Sequence, residues 1–263
     1  MTGKGRELKK WFREAESVLI AFSGGTDSAL LAKIGAEALG EKAAAITGVS
    51  PSRSGADREW AARIAGEIGI RHFVVETGEW DDPRYRANDE ERCYLCKREL
   101  FRLCVEKASA IGFRRVAEGS HPGDAGDERP GFRAAGEWGV ASPFLEIGLG
   151  KEEIRALSRS LGLPTWDRPS GACLATRIPA GTPLTEERVN RVERAEAFLR
   201  EEGFRTVRVR MDGRNGRIET GPEEIGRFAD PSLRSKIAAR LREIGFERIS
   251  VDLEGYREKD GGE

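Results

Sequence analysis

Two features of the sequence could do chemistry: a set of cysteines and one glycine loop. Cys93 and Cys96 are spaced C-x-x-C at the start of a helical stretch. The i, i+3 spacing puts both sulfurs on one helix face. Cys173 lies far along the chain, in Pro169-Ser170-Gly171-Ala172-Cys173-Leu174-Ala175-Thr176-Arg177. A Pro/Gly-rich loop of that kind keeps a thiol reachable. Cys104 differs, because Leu100, Leu103, Ala108 and Ile111 share its face and predict a core position. On residues alone, the C-x-x-C fits a redox pair, half of a zinc site or part of an iron–sulfur site. A structural zinc site wants four closed ligands, and no matching fourth Cys or His is evident. Three thiolates can instead hold three irons of a [4Fe–4S] cluster, leaving one iron open for chemistry.

The loop is Ser23-Gly24-Gly25-Thr26-Asp27-Ser28, between the apolar run 17–22 and an Ala/Leu-rich helical stretch, 28–39. Glycines let the backbone come close to a ligand. A helix N-terminus offers unpaired N–H groups with partial positive charge. Ser23, Thr26 and Ser28 add hydroxyl donors, which makes the loop a nest for phosphate oxygens. It is neither G-x-x-x-x-G-K-[ST] nor G-x-G-x-x-G. The plain alternative is a glycine turn with an Asp or Ser helix cap.

Alternating elements must position both features. Short apolar runs at 17–22, 43–49, 71–75 and 115–118 read as strands, and 4–16, 28–39, 57–69, 94–111 and 152–161 as helices. Residues 77–92 and 119–131 read as loops. The pattern predicts an α/β fold, a parallel sheet with helices on both faces and its active site at the C-terminal strand ends. Near Pro179-Ala180-Gly181-Thr182-Pro183 the pattern changes. A helix from Thr185 to about Glu202 follows, then a strand at 205–211. Asn215-Gly216 signals a hairpin turn, with 217–220 pairing back. A helix at 233–244 and a strand at 246–253 complete a smaller α+β domain. The expected domains are 1–178 and 179–263, the second a candidate for homo-oligomerisation.

Composition narrows the class. Lys+Arg is 44 and Asp+Glu 45, a net charge of −1, with no sign of the broad basic surface that nucleic-acid binding favours. The 38% apolar content is low but periodic, which argues against disorder. No apolar stretch approaches a membrane span, and the N-terminus lacks a signal peptide's apolar core. Four cysteines in 263 residues make no disulfide scaffold, so a cytoplasmic location is expected.

The six-residue loop resembles the SGGxDS signature of PP-loop ATP pyrophosphatases. That resemblance implies ATP bound by Ala21, Phe22 and Ser23 to Ser28, with Asp27 orienting the loop or helping to hold Mg²⁺. Val49 would contact adenine through the backbone, and Glu118, Gly119 and Ser120 would complete the pocket. The run from Leu163 to Pro179, with Glu118-Gly119-Ser120, Arg129-Pro130-Gly131 and Ser142-Pro143-Phe144, resembles the LarE family over nearly the whole chain. Members of that family are ATP-dependent sulfur transferases that build the nickel-pincer nucleotide of lactate racemase. They adenylylate a carboxylate of a pyridinium biscarboxylate mononucleotide and replace oxygen with sulfur.

In single-cysteine members, the residue matching Cys173 gives up its own sulfur and becomes dehydroalanine. Members with the added C-x-x-C resemble [4Fe–4S] enzymes, in which the open iron carries a renewable sulfide. The resemblance therefore implies Cys93, Cys96 and Cys173 as cluster ligands, with sulfide or another sulfur donor as partner.

Arg208 and Arg210 are two apart on a strand and share a face. They are either a solvated strand face or a clamp for the mononucleotide phosphate. Arg177 is a similar candidate. His72 reads as structural, and His121, Asp124 and Asp127 lie beside the Glu118 strand end. Trp80, Trp138 and Trp166 read as packing residues, and the charged face of 186–202 as a solvated helix. The rivals are a PP-loop tRNA thiolase, a non-catalytic nucleotide-binding or iron-sensing module, and an amide-forming ligase such as an NAD or GMP synthetase.

Overall fold

Strands buried on both faces need helices above and below, and this dictates the first half of the chain. The computed structural model describes residues 3–124, 130–168 and 171–256. Packing divides them into two compact units: 3–85, 91–124, 130–168 and 171 in one, 86–90 and 172–256 in the other. The sequence reading set its boundary at 178, whereas the compact units divide after Gly171, so Cys173 belongs to the second. Residues 86–90 join the second unit through Asn88. Its side chain donates to the carbonyls of Pro179 and Thr182 at 2.9 and 3.0 Å.

The first unit contains α1 (Gly3–Ala15), β1 (Val18–Ala21), α2 (Thr26–Leu39), β2 (Ala43–Val49), α3 (Gly55–Ile68) and β3 (Arg71–Glu76). After α4 (Pro83–Arg86) come α5 (Arg92–Ala110), β4 (Arg115–Ala117), α6 (Pro130–Glu137), α7 (Pro143–Glu146) and α8 (Lys151–Ser160). Its four strands are parallel in the order β3-β2-β1-β4. Side chains alternate across the sheet. Val18, Ile20, Ala43 and Ala45 join one core with Leu8, Phe12, Leu30 and Ile34. Leu19, Ala44 and Ile46 join the other with Phe101 and Cys104. Successive strands step outward from β1 to β3, and β4 then lies on the far side of β1. That reversal opens a crevice at the carboxyl ends of β1 and β4.

Two expected loops are partly structured. Residues 77–92 contain a 3-10 turn, Gly78–Asp81, and then α4, which Pro83 opens. In 119–131 a 3-10 turn covers Pro122–Asp124, and α6 starts at Pro130. Asp127 and Arg129 lie outside the described residues. These pieces are too short to show a sustained apolar period. No helix among the described residues is long and apolar enough to cross a membrane.

The second unit holds α9 (Glu186–Glu201), β5 (Val207–Asp212), β6 (Asn215–Thr220), α10 (Pro231–Ile244) and β7 (Arg248–Val251). β5 and β6 pair antiparallel with Asp212 opposite Asn215, and β7 joins β6 in parallel. The hairpin turn is therefore Gly213-Arg214, not Asn215-Gly216. Gly213, at φ +57°, supplies the left-handed backbone that a two-residue turn needs. Gly216 is a strand glycine for a packing reason: a Cβ there would lie 2.9 Å from the buried Phe246 ring. The charged face of 186–202 is solvated at Glu186, Glu187, Arg194 and Glu201, as expected, but Arg191 and Glu196 on α9 are buried.

Gly216→Ala is expected to destabilise the second unit by about 1–3 kcal/mol, the usual cost of overpacking. Thermal unfolding checks this, and an unchanged transition would contradict it.

Candidate active site

β1 hands the chain to α2 through the glycine loop. Gly24 takes φ +72°, and Gly25 caps α2 in extended conformation with no side-chain bond. The plain reading of a side-chain-capped helix is thus not what forms, and the first turn of α2 keeps its donor character. The Ser28 hydroxyl accepts from the Ser23 amide at 3.2 Å and lies 3.1 Å from the Ser23 hydroxyl.

A cavity of about 210 Å³ opens where the strand order reverses. Ala21, Phe22, Ser23, Asp27 and Ser28 line it from the β1 side. Glu118, Gly119 and Ser120 line it from the end of β4. Gly119 permits this approach, since a Cβ there would meet Asp27 Cβ at 3.1 Å and the Ser28 amide at 3.3 Å. The buried Glu118 carboxylate accepts from the Ser120 amide at 3.1 Å, the Ser120 hydroxyl at 2.8 Å and the Ser142 hydroxyl at 2.6 Å. Asp27 receives Lys151 Nζ on both oxygens at 2.7 Å.

Other expected residues sit elsewhere. The buried Thr26 hydroxyl donates to the Thr165 carbonyl at 2.6 Å and does not line the cavity. Val49 is also off the cavity wall, and its carbonyl accepts the Thr77 amide and hydroxyl at 3.0 and 3.1 Å. His121 is buried 3.5 Å from Asp124, its Nδ1 has no hydrogen-bond partner among the described residues, and of the two Asp124 reaches the wall.

Sequence reasoning missed Arg53, Lys97 and Lys151. Arg53 and Lys97 bring positive charge to the cavity wall, and Lys151 neutralises Asp27. Lone basic residues after a strand, on a helix or at a helix start carry no motif. Lys97 had one usable signal: it follows Cys93 by four on α5 and shares its stripe.

His72 supports the loop from behind. The Thr47 hydroxyl spends its one proton on the Phe22 carbonyl at 2.8 Å, so His72 Nε2, 2.8 Å away, must be the donor to Thr47. Burial lowers the His72 pKa from its ordinary 6.5.

The cysteines divide between the units. Cys93 is exposed near the start of α5, with Arg92 Nη2 at 3.5 Å. Cys96 is half-buried, its sulfur 4.0 Å from the buried Glu79 carboxylate. Cys104 is fully buried, and burial pushes its thiol up to about 12. Among the described residues, no group of three or more His, Cys, Asp or Glu is gathered to hold a metal ion. In donor type, Cys93, Cys96 and Cys173 each offer the thiolate that an iron–sulfur cluster takes: none is in a disulfide and none is fully buried.

In the second unit, Cys173 precedes the 3-10 turn Leu174–Arg177. Arg177 is buried and fastens this turn, donating to the carbonyls of Ala172 and Cys173 at 2.8 and 2.9 Å. Its Nε bonds Glu196 at 2.8 Å, and Glu196 also accepts the Val209 amide at 3.0 Å. Arg208 is buried beside Arg177, and desolvation followed by that like charge lowers its pKa. Arg210 bonds Glu219 at 3.0 Å and the Thr176 carbonyl at 2.9 Å. Thr176, Arg177, Arg210 and Arg217 line a separate cavity of about 320 Å³.

A parallel sheet with this loop at its switch point defines a PP-loop, ATP-using enzyme. A family model described as asparagine synthase matches residues 8–86. The chain is 30% identical to the pyridinium-3,5-bisthiocarboxylic acid mononucleotide synthase of Lactiplantibacillus plantarum, over 93% of this chain and 88% of that one. It is 42% identical to an uncharacterised protein of a Synechocystis strain, over 98% and 96%. A tRNA-specific 2-thiouridylase of Azorhizobium caulinodans is 28% identical over 62% and 51%. The chain belongs to the LarE family and is an ATP-dependent sulfur transferase.

Two outcomes follow from the buried groups. Alkylation of the folded, iron-free protein near pH 8 should label Cys93, Cys96 and Cys173 but spare Cys104, as read by peptide mass spectrometry. Labelling of Cys104 at the same rate would contradict its burial. His72 is protonated more readily in the unfolded chain, so its contribution to stability is complete above pH 6.5 and lost as pH falls below it. Urea midpoints should fall less on acidification in His72→Gln than in the wild type.

Proposed function

We propose that this enzyme adenylylates a carboxylate of pyridinium-3,5-biscarboxylate mononucleotide and converts it to a thiocarboxylate, in nickel-pincer nucleotide synthesis for lactate racemase. The observation that carries this reading is the likeness to the Lactiplantibacillus plantarum synthase along almost the whole chain.

ATP would place its β- and γ-phosphates on the Ser23–Ser28 loop, with adenine toward Glu118–Ser120. Asp27 would hold the Mg²⁺ that accompanies ATP, or orient the loop through Lys151. The substrate carboxylate attacks the α-phosphorus, the bond to pyrophosphate breaks, and pyrophosphate leaves with the electron pair. Arg53 and Lys97 offset the charge that develops there. A sulfur nucleophile then attacks the acyl carbon, the C–S bond forms, and AMP departs as the C–O bond breaks.

Cys93, Cys96 and Cys173 would hold a [4Fe–4S] cluster whose open iron supplies a renewable sulfide. Arg210, with Arg208 and Arg177 beside it, would take the mononucleotide phosphate, since guanidinium matches phosphate geometry. The reaction suits a cytoplasmic enzyme, and the second unit is the proposed contact for homo-oligomers.

A tRNA thiolase is the second reading, favoured by the partial likeness to the Azorhizobium enzyme. Pyrophosphate release separates the two. With ATP and Mg²⁺, release should require the biscarboxylate mononucleotide, and Cys173→Ala should still release pyrophosphate but form no thiocarboxylate. Release that responds to tRNA and not to the mononucleotide would overturn the first reading. Protein reconstituted without oxygen should hold about four irons per chain, and Cys93→Ala should lose them together with repeated turnover. An iron-free wild type would overturn the cluster.

A further inference from the structure

Trp60 and Arg168 lie off the cavity wall, yet contacts run from both of them to the phosphate loop. The left-handed Gly24 backs directly onto α3, where a Cβ would lie 2.9 Å from Ala61 Cα and 3.1 Å from Trp60 Cδ1. The Trp60 indole N–H donates to the Gly24 carbonyl at 2.8 Å. A peptide is planar, so fixing this carbonyl also fixes the Gly25 N–H on its other side. That N–H meets the Ser23 hydroxyl at 3.3 Å, on the cavity wall.

Arg168 holds the indole in turn. Its guanidinium carbon lies 4.1 Å from the Trp60 ring centroid. Its Nη2 donates to Asp57 at 3.1 Å, one turn before Trp60 on α3. A second link joins the same two segments, because the Thr26 hydroxyl donates to the Thr165 carbonyl at 2.6 Å. The Arg168 amide closes onto that carbonyl at 3.2 Å, so Thr165 to Arg168 form one turn. The loop is therefore fastened on both flanks to a single turn, which leads in sequence toward the Cys173 run.

We propose that Trp60 and Arg168 are positioning residues that couple the phosphate loop to the turn 165–168, so that phosphate on the loop and order in the turn favour each other. The nucleotide half of this coupling rests on the ATP reading above; the mechanical half does not.

Trp60→Phe keeps a ring for Arg168 and removes only the N–H donor, and Arg168→Gln removes the guanidinium that ties the ring to the turn while Arg63, 4.2 Å from the ring centroid, stays. Hydrogen exchange on the full chain reads both halves, with inorganic pyrophosphate as the probe. Without pyrophosphate, Trp60→Phe should exchange about fivefold faster at the bonded amides of the loop, Gly25 and Ala29, and at 165–168, as loss of one net hydrogen bond predicts, with α9 unchanged. Faster exchange in the loop alone would overturn the coupling. Saturating pyrophosphate should slow exchange in both segments of the wild type, but only in the loop of the two variants. Equal protection of 165–168 in the variants would also overturn it. If pyrophosphate protects nothing in the wild type, the ATP reading fails, and the pyrophosphate-free comparison alone decides the mechanical link.

Discussion

The structure depends on one constraint: the first amides of α2 have no helical acceptor, and the chain supplies no side-chain cap for them. Asp27 and Ser28 of that first turn line a crevice that exists only because β4 returns to the opposite side of β1 from β2. Everything nearby keeps that opening narrow and polar. Gly119 lets the end of β4 approach the start of α2, Glu118 is tied by two serines, and Asp27 is neutralised by Lys151. Behind the loop, His72 and Thr47 brace the Phe22 carbonyl.

Much of this was legible in the sequence, for identifiable reasons. The strands and helices of the first unit have strong periods, and the glycine loop sits where a strand must become a helix. Cys104 was recognisable as core from its neighbours on α5. Thr26 and Val49 were assigned to the ligand from position in a motif, and no spacing rule shows that the Thr26 hydroxyl meets the Thr165 carbonyl or that the Val49 carbonyl accepts the Thr77 hydroxyl. Glu196 looked like surface, because nothing local reveals that Arg177 and the Val209 amide will meet it in the interior. Lys151 is 124 residues from Asp27 along the chain, and no spacing rule reaches that far. The hairpin turn was misplaced because Asn-Gly is a strong local signal, and packing of Gly216 against Phe246 overrode it.

The cysteines are distributed over both units. The first carries Cys93 and Cys96 on the helix that also sends Lys97 to the wall of the cavity between β1 and β4. The second supplies Cys173 on a turn that Arg177 locks through two carbonyls. The first unit is built on a parallel sheet, and the second on a small sheet with the buried pair Arg177–Glu196 and the partly buried pair Arg210–Glu219. Such pairs are costly to break singly, which holds the arginines in defined positions.

The central claim is that the crevice between β1 and β4 receives the phosphates of ATP. Calorimetric titration of inorganic pyrophosphate into the wild type and Gly119→Val tests it most directly. The account predicts binding to the wild type and loss of binding in the variant, with both proteins equally folded, because the added side chain closes the gap against Asp27 and Ser28. Undiminished binding by a folded Gly119→Val protein would contradict it.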